Sequence, residues 1–390
     1  ASVALPGLLP ALEASRALGG ASYGEILKQL ERDITTQRRA AGPVRLCFNE
    51  NPFGMSPKAK DAIMNAWGEH PHYDPPVLKE LTEAYAKHVG VKPEQVLVTQ
   101  GSSEVLSLAA LATGMQGGEM VLPWPTFEQL PEYATSMGVT VHKVPLTADL
   151  HHDFAAMNAK IGANTKLVFV CNPNNPTAVL DNQPTMRDFV ISTAKKCLVV
   201  VDEAYHDFVD DPSYRSMTDL VTAGHNIIVS RTASKIHSLA GLRVGFAIAH
   251  PDVIKKMGQF ATGNPNTFGM RAALASVQDT EYQEFVKAKN REGRALLTAA
   301  LTKAGRRVAP SQTNFVFFHA GRPVEQLQKQ VKKVEPTQAQ VKDEAGSVNS
   351  GAELAKPTIA AGQHYLFHSK AGDVAPMPSV RLAAPKPELP

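Results

Sequence analysis

What this chain has little of narrows it first. Cysteine is scarce, three in 390 residues, and Cys47, Cys171 and Cys197 are widely spaced, each in or beside an apolar run. That spacing offers neither a metal-ligand cluster nor a disulfide framework, so buried free thiols and no metal are expected. Net charge is nearly absent too, only +3 with the basic residues dispersed. Nucleic acid is therefore not an expected partner, since no concentrated positive footprint exists to hold it. No apolar run approaches the roughly 18 residues a membrane-spanning helix needs, so no membrane association is expected. Residues 1–22 are rich in small side chains and lack the charged segment plus apolar core of an intact export signal. A cytoplasmic location is expected, with a processed exported form as the alternative.

What is present is the composition of a globular enzyme-sized chain, 43% hydrophobic and 20% charged, long enough for about two domains. Between about residues 95 and 250, strand-like segments alternate with helical crossovers: Gln95–Thr99, Glu119–Leu122, Leu167–Cys171, Cys197–Val201, His225–Ser230 and Arg243–Ala249. Leu167–Cys171 is almost wholly apolar, as a strand buried on both faces should be. The pattern predicts an α/β fold whose mostly parallel sheet is flanked by helices. In such a sheet, binding loops belong at the carboxyl ends of the strands.

The residues with chemistry fall at those ends. Lys235 follows Ser230, Thr232 and Ser234 at the mouth of a strand, where desolvation and nearby positive charge would hold an amine neutral. Arg243 is close enough in sequence to share an anion with those hydroxyls. Gly101-Ser102-Ser103-Glu104 joins a strand to a helix, and unpaired amides converge at such a helix start to make an anion site. Asp202 closes another buried strand, and a carboxylate there needs a partner because an unpaired buried charge is costly. A structural explanation accounts for Asp202 or Lys235 alone more easily than for both behind successive strands.

Taken with their neighbours, these residues resemble the active centre of fold-type I pyridoxal-phosphate (PLP) aminotransferases, in the branch containing histidinol-phosphate aminotransferase. The resemblance is carried by Asn49-Glu50-Asn51-Pro52, Gly101-Ser102-Ser103-Glu104, Pro125-Thr126-Phe127, Cys171-Asn172-Pro173-Asn174-Asn175-Pro176-Thr177, Asp202-Glu203-Ala204-Tyr205, and Ser234-Lys235 with Gly241-Leu242-Arg243. These motifs stand in the family's order over roughly residues 45–320. The resemblance implies a large PLP-binding domain over 45–255 and a smaller α/β domain over 256–390, atypical after about 335, with residues 1–44 an arm and helix joining the small domain.

The same resemblance assigns roles. Lys235 would form the Schiff base with PLP, Asp202 would pair with the pyridine nitrogen, and Asn175 and Tyr205 would donate to its phenolic oxygen. Phe127 would stack on the ring, while Ser102, Ser103, Thr232, Ser234 and Arg243 would hold the phosphate. Tyr73 would reach the phosphate from a partner subunit, which implies a homodimer. Asn51 and Arg381 are the substrate candidates, Arg381 as the clamp for an α-carboxylate, although Asx-turn chemistry explains the asparagines equally well. His206 and His237 could approach the substrate, and a satisfied histidine behind the site explains each of them at least as well. The implied activity moves an amino group from an amino acid or related primary amine to a 2-oxo acid. A racemase, lyase or decarboxylase using the same cofactor is the alternative, and a non-enzymatic PLP-binding protein a further one.

Several local expectations accompany this reading. Tyr23–Arg39 has the spacing of a docking helix, and Ser56-Pro57 the form of an N-cap followed by proline. Arg271–Ala304 reads as one long helix, Gln312–Phe318 as a strand and Val324–Val334 as a helix. Ala178 stands where the family usually has glycine, which disfavours a left-handed backbone there unless strain is accepted.

Overall fold

The computed structural model describes residues 22–40, 48–73, 75–114 and 117–321, without the side chains of 34–40 and 75. The expectations for residues 1–21, for Cys47, for the helix over 324–334 and for Arg381 fall outside them.

In chain order the elements are helices α1 (Tyr23–Ala40), α2 (Pro57–Asn65) and α3 (Pro75–Val89), strand β1 (Val96–Thr99), α4 (Ser102–Gly114), β2 (Glu119–Trp124), α5 (Gln129–Ser136), β3 (Thr140–Pro145), α6 (Phe154–Lys160), β4 (Thr165–Cys171), α7 (Gln183–Ala194), β5 (Leu198–Asp202), α8 (Thr218–Thr222), β6 (Ile227–Thr232), β7 (Gly245–Ala249), α9 (Pro251–Gly258), α10 (Thr267–Val277) and α11 (Thr280–Lys303). The strands form one sheet in the order β1-β7-β6-β5-β4-β2-β3. Only β7 runs against its neighbours; the remaining pairings are parallel. Strand β3, which pairs with β2, has no counterpart among the strand-like segments of the sequence; its residues are mostly half-exposed, so it lacks the apolar run that marks the central strands.

Both faces of the sheet are buried, and side-chain alternation divides them. Val199, Val201, Val168, Val170, Ile227 and Val229 face α3, α7 and α10, while Leu198, Val200, Leu167, Phe169 and Ile228 face α4, α5 and α9. This parity decides where the chemistry goes. Cys171, Asp202 and Ser230 are level across β4, β5 and β6, at the carboxyl ends and on the α4 face. Glu203 and Arg231, one residue further along their strands, point to the opposite face. A third cluster, with Leu27, Phe53, Ala178, Tyr205, Phe208, Ile236, Tyr282, Val286 and Phe315, joins the strand ends to α1 and α11.

Three local expectations are corrected. The long helix is two, broken between Val277 and Thr280, because the fully buried Asp279 caps α11 through Tyr282 N–H and also takes the Tyr23 hydroxyl and the Lys58 ammonium at 3.1 Å. The strand over 312–318 reduces to a single bridge between Val308 and Phe318. There the Thr313 hydroxyl accepts from Phe315 N–H at 3.2 Å and the Ser311 hydroxyl from Thr313 N–H at 3.3 Å, local bonds that compete with a ladder. Ala178 does adopt the left-handed backbone, φ 65°, and accepts the strain. Its N–H reaches Asn174 O at 2.8 Å and its carbonyl receives Gln312 N–H at 2.9 Å, while its methyl is buried in the third cluster. The Ser56 cap forms as expected, accepting from Ala59 N–H at 3.1 Å.

Candidate active site

Lys235 lies just beyond β6, partly buried, with its Nζ donating to Phe48 O at 2.8 Å and Asn49 O at 3.2 Å. Burial lowers this amine from its ordinary range to about 8, opposed by Glu50 and Asp202 and assisted by Arg243. An amine in that range is present in both protonation states near neutrality, as an amine that must both attack and carry protons requires. The Nζ also stands 5.5 Å from the centre of the Tyr205 ring.

Asp202, 3% exposed, closes β5. Burial pushes its carboxyl up to about 7, against the pull of the Ala204 N–H at 3.2 Å and the charge of Lys235. The acid is thus poised between neutral and ionised, and among the described residues the charge of Lys235 opposes its burial without cancelling it. Tyr205 is buried beside it, and its hydroxyl oxygen receives Asn49 Nδ2 at 3.0 Å and Asn175 Nδ2 at 3.4 Å. Asn175 is set by its neighbour Asn174, which accepts from the Thr126 hydroxyl at 2.8 Å and donates to Pro125 O at 3.1 Å and the Thr177 hydroxyl at 2.9 Å. The loop carrying Phe127 and the loop carrying Asn175 are thereby one unit. Phe127 is half-buried against the α4-side core.

The anion cradle forms where β1 and β7 meet α4. Thr99 pairs with Gly245, and a Cβ on Gly245 would lie 2.3 Å from the carbonyl carbon of Gly101 and 2.4 Å from Ser102 N. A Cβ on Gly101 would lie 2.3 Å from Arg243 Nη2. Only glycine allows the guanidinium to lie along the first turn of α4, where Arg243 Nη2 donates to the Ser103 hydroxyl at 3.4 Å. Arg243 is itself exposed. Cation and helix start together suit a phosphate group. Thr232 and Ser234 are buried nearby, Ser234 N–H donating to the Thr232 hydroxyl at 3.1 Å.

The residue types fit PLP at each end: a buried carboxyl only partly compensated by its neighbours for a cationic ring nitrogen, a phenol and an amide for a ring oxygen, an amine, and an anion cradle. Of the residues expected from sequence, the structure brings Lys235, Asp202, Tyr205 and Asn175 together and lays Arg243 against Ser103 in the first turn of α4, which begins at Ser102. Asn51 is buried next to the lysine segment: Nδ2 donates to Ile236 O at 3.0 Å and Oδ1 accepts from Phe53 N–H at 3.0 Å. Tyr73 is 98% exposed on its own chain. His206 pairs with Asp207 at 3.0 Å. His237, whose burial lowers it to about 4, meets the Ser276 hydroxyl at 2.9 Å.

Two contributors escape sequence reading. Asn49 supplies a carbonyl to Lys235 and an amide to Tyr205, and its place in the Asn49-Glu50-Asn51-Pro52 motif was the available signal. Asn314 donates to that same Asn49 carbonyl at 2.9 Å across 265 residues of chain, a separation no local pattern announces.

Comparison with known proteins agrees with this geometry. The family model for aminotransferase class I and II matches residues 41–342. A histidinol-phosphate aminotransferase of Brevibacillus brevis is 37% identical over 274 residues, 70% of this chain and 75% of the relative. A crystal structure described as a histidinol-phosphate aminotransferase, from Erwinia carotovora atroseptica, superposes with a TM-score of 0.72 at 35% identity, covering 74% of this chain and 85% of the other. A histidinol-phosphate aminotransferase of Sinorhizobium meliloti, solved in complex with pyridoxal-5'-phosphate, shares the fold with a TM-score of 0.70 at 24% identity, covering 77% and 82%. The chain belongs to the class I and II aminotransferases. It is a fold-type I enzyme that uses PLP to transfer an amino group from an amine donor to a 2-oxo acid.

Proposed function

We propose that the donor is histidinol phosphate, with a 2-oxo acid as the acceptor, and that the enzyme works as a cytoplasmic homodimer. The observation that carries the donor assignment is the 37% identity to the Brevibacillus brevis histidinol-phosphate aminotransferase. Two features support the dimer: Tyr73 is 98% exposed, as a residue serving another subunit's site would be, and Trp67, a few positions before it in the chain, stays 59% exposed although it stacks on Phe268 with centroids 5.3 Å apart. We further divide the chain as the sequence suggests, with 45–255 the cofactor domain and α1 grouped with the residues after 256. The third apolar cluster, which ties Leu27 of α1 to Tyr282 and Val286 of α11, supports that grouping.

In this reading each residue has a physical task. A cation opposite Asp202 would draw its carboxyl fully into the ionised form, so Asp202 would favour the protonated form of the ring nitrogen. Asn175 and Tyr205 fix the ring's oxygen. Phe127 would stack on the ring, and Arg243, Ser102, Ser103, Thr232 and Ser234 would hold the phosphate, which would keep the reacting bond in register with the lysine. When bound, PLP supplies a carbonyl for the donor's amine and a ring that accepts the electron pair of the broken Cα–H bond. Lys235 Nζ receives the proton from the donor's Cα, its lowered pKa leaving a neutral fraction at physiological pH. Arg381, outside the described residues, stays our candidate for a substrate carboxylate, and Asn51 serves by holding the backbone beside Lys235.

The test is a single-turnover panel. Enzyme loaded with PLP is mixed separately with histidinol phosphate, glutamate, aspartate and phenylalanine, and loss of the cofactor's visible band is followed with the keto product. Histidinol phosphate should discharge the band at least tenfold faster than phenylalanine, and Lys235→Ala should discharge with none. A faster reaction with an aromatic amino acid would overturn the donor assignment and leave the transaminase itself intact.

A further inference from the structure

A segment near the end of the described residues, well beyond Lys235 in the chain, reaches back to the groups around that amine. Asn314, 1% exposed, donates through Nδ2 to Asn49 O at 2.9 Å, the oxygen that also accepts from Lys235 Nζ at 3.2 Å. Phe315, also 1% exposed, sets its ring edge-on against Tyr205, with centroids 5.0 Å apart and planes at 85°. Thr313 O, one residue earlier, is gripped by α11 through Asn290 Nδ2 at 3.1 Å and Arg294 Nη1 at 2.9 Å. Arg294 in turn pairs with Asp210, a few residues beyond Tyr205.

The carbonyls held in this way belong to a strained turn. Phe48 and Asn49 both have left-handed backbones, with φ of 66° and 52°. Non-glycine residues leave that region unless their surroundings hold them, and such strain gathers at functional sites. Asn49 is held at two points, by Asn314 on its carbonyl and through its own amide, which donates to Tyr205 Oη at 3.0 Å.

We propose that Thr313-Asn314-Phe315 is a positioning strut: it transmits the placement of α11 to the Phe48–Asn49 turn and Tyr205, and so fixes where the Lys235 amine rests. Asn314 is the central residue of the strut, and its assigned role is to position rather than to react. It acts by keeping the Asn49 carbonyl aimed at Nζ and the turn closed over it. Without that bond the turn relaxes toward an ordinary backbone, water reaches the amine, and the desolvation that lowers its pKa is reduced. Proton transfer then slows while donor binding is little changed. The inference rests on the transaminase chemistry and is independent of which amine is the donor.

The experiment uses the full chain. In cofactor-free protein, Lys235 is labelled with trace acetic anhydride over pH 6–11 and its modification is read by mass spectrometry, which gives the amine's pKa with no substrate present. Asn314→Ala should raise that pKa by about one unit toward the ordinary lysine value. In loaded enzyme the same variant should lower kcat about tenfold with KM for the donor within twofold. Asn314→Ser, which keeps a donor, should recover at least half of both effects, and it decides the question if the alanine variant fails to fold, since it should then show a smaller shift in the same direction. Wild-type labelling and wild-type kcat in both variants, with only a lowered Tm, would overturn the strut and reduce Asn314 to a packing residue. Because the labelling reads only Lys235, that outcome would leave the donor assignment untouched.

Discussion

Asp202 shows how a single buried group links stability to chemistry. Its carboxyl is raised to about 7 by burial, above the ordinary value that holds in the unfolded chain. A raised acid contributes its full stability below the unfolded pKa and loses it as pH climbs through the folded pKa. The cofactor-free protein should therefore weaken between about pH 4 and pH 7 through this residue. At about 1.4 kcal/mol per pKa unit the loss is on the order of 4 kcal/mol, an upper figure for a group with some compensation from Lys235. In Asp202→Asn the neutral amide removes the titration. Chemical denaturation of both cofactor-free proteins should give equal stabilities near pH 4 and a variant more stable by a few kcal/mol at pH 8. The loaded enzyme should respond in the opposite sense, since the amide cannot hold the ring nitrogen protonated, and kcat should fall by orders of magnitude. A stability difference that does not change with pH would mean that the carboxyl is not buried in the way its 3% exposure implies.

At the scale of elements, strands β5 and β6 are fixed relative to one another by a pair on the face away from the site. Arg231 Nη2 lies 2.7 Å from Glu203 Oε2, and both side chains are almost fully buried. Glu203 also accepts Met217 N–H and the Ser216 hydroxyl, each at 2.8 Å, and Arg231 Nη2 donates to that hydroxyl at 2.8 Å. Such a pair adds little net energy when complete, but removing one member strands the other's charge. Arg231→Met should cost about 3–5 kcal/mol in thermal or denaturant unfolding. The double variant Arg231→Met, Glu203→Leu should recover part of it, the remainder reflecting the Met217 N–H left without its acceptor, and a double variant as unstable as the single would contradict the account. Sequence reading found Asp202 and Lys235 because the strand-end pattern and short motifs are local. It passed over the partners Glu203 and Arg231, although both adjoin recognised residues, because nothing in a sequence states which face of a strand a charge occupies until the register is known. The central strands were legible for the same reason that β3 was not: continuous apolar runs mark strands covered on both faces, and β3 is half-exposed along the sheet's edge. The break at Asp279 was hidden because the helical spacing runs through it, and only the Tyr23 and Lys58 contacts reveal why the chain turns there. The left-handed Ala178 went against local expectation because two backbone bonds and a buried methyl outweigh a strain of about 1–2 kcal/mol.

At the scale of the whole molecule, the site is assembled from distant parts, and the proposed dimer would extend that logic beyond one chain. If Tyr73 serves the neighbouring subunit, Lys235 and Tyr73 of one site come from different copies, and activity can be restored by mixing two defective proteins. Lys235→Ala leaves a chain that can lend Tyr73 but has no working site, and Tyr73→Ala leaves a chain with a working lysine but nothing to lend. In a mixed dimer, one site receives both intact residues and the other receives neither. Random reassociation of equal amounts makes half of the dimers mixed, so about one quarter of all sites become complete. Unfolding the two variants together and refolding them should thus raise transaminase activity to roughly a quarter of the wild-type value, above the level obtained when they are refolded separately and then combined. The loss of activity in Tyr73→Ala alone should appear mainly as weaker cofactor retention, measured by dialysis, because Tyr73 is assigned to the phosphate and not to the proton transfer. Equal activity in co-refolded and separately refolded samples, with a dimer confirmed by sedimentation, would place Tyr73 in its own subunit's site or outside any site.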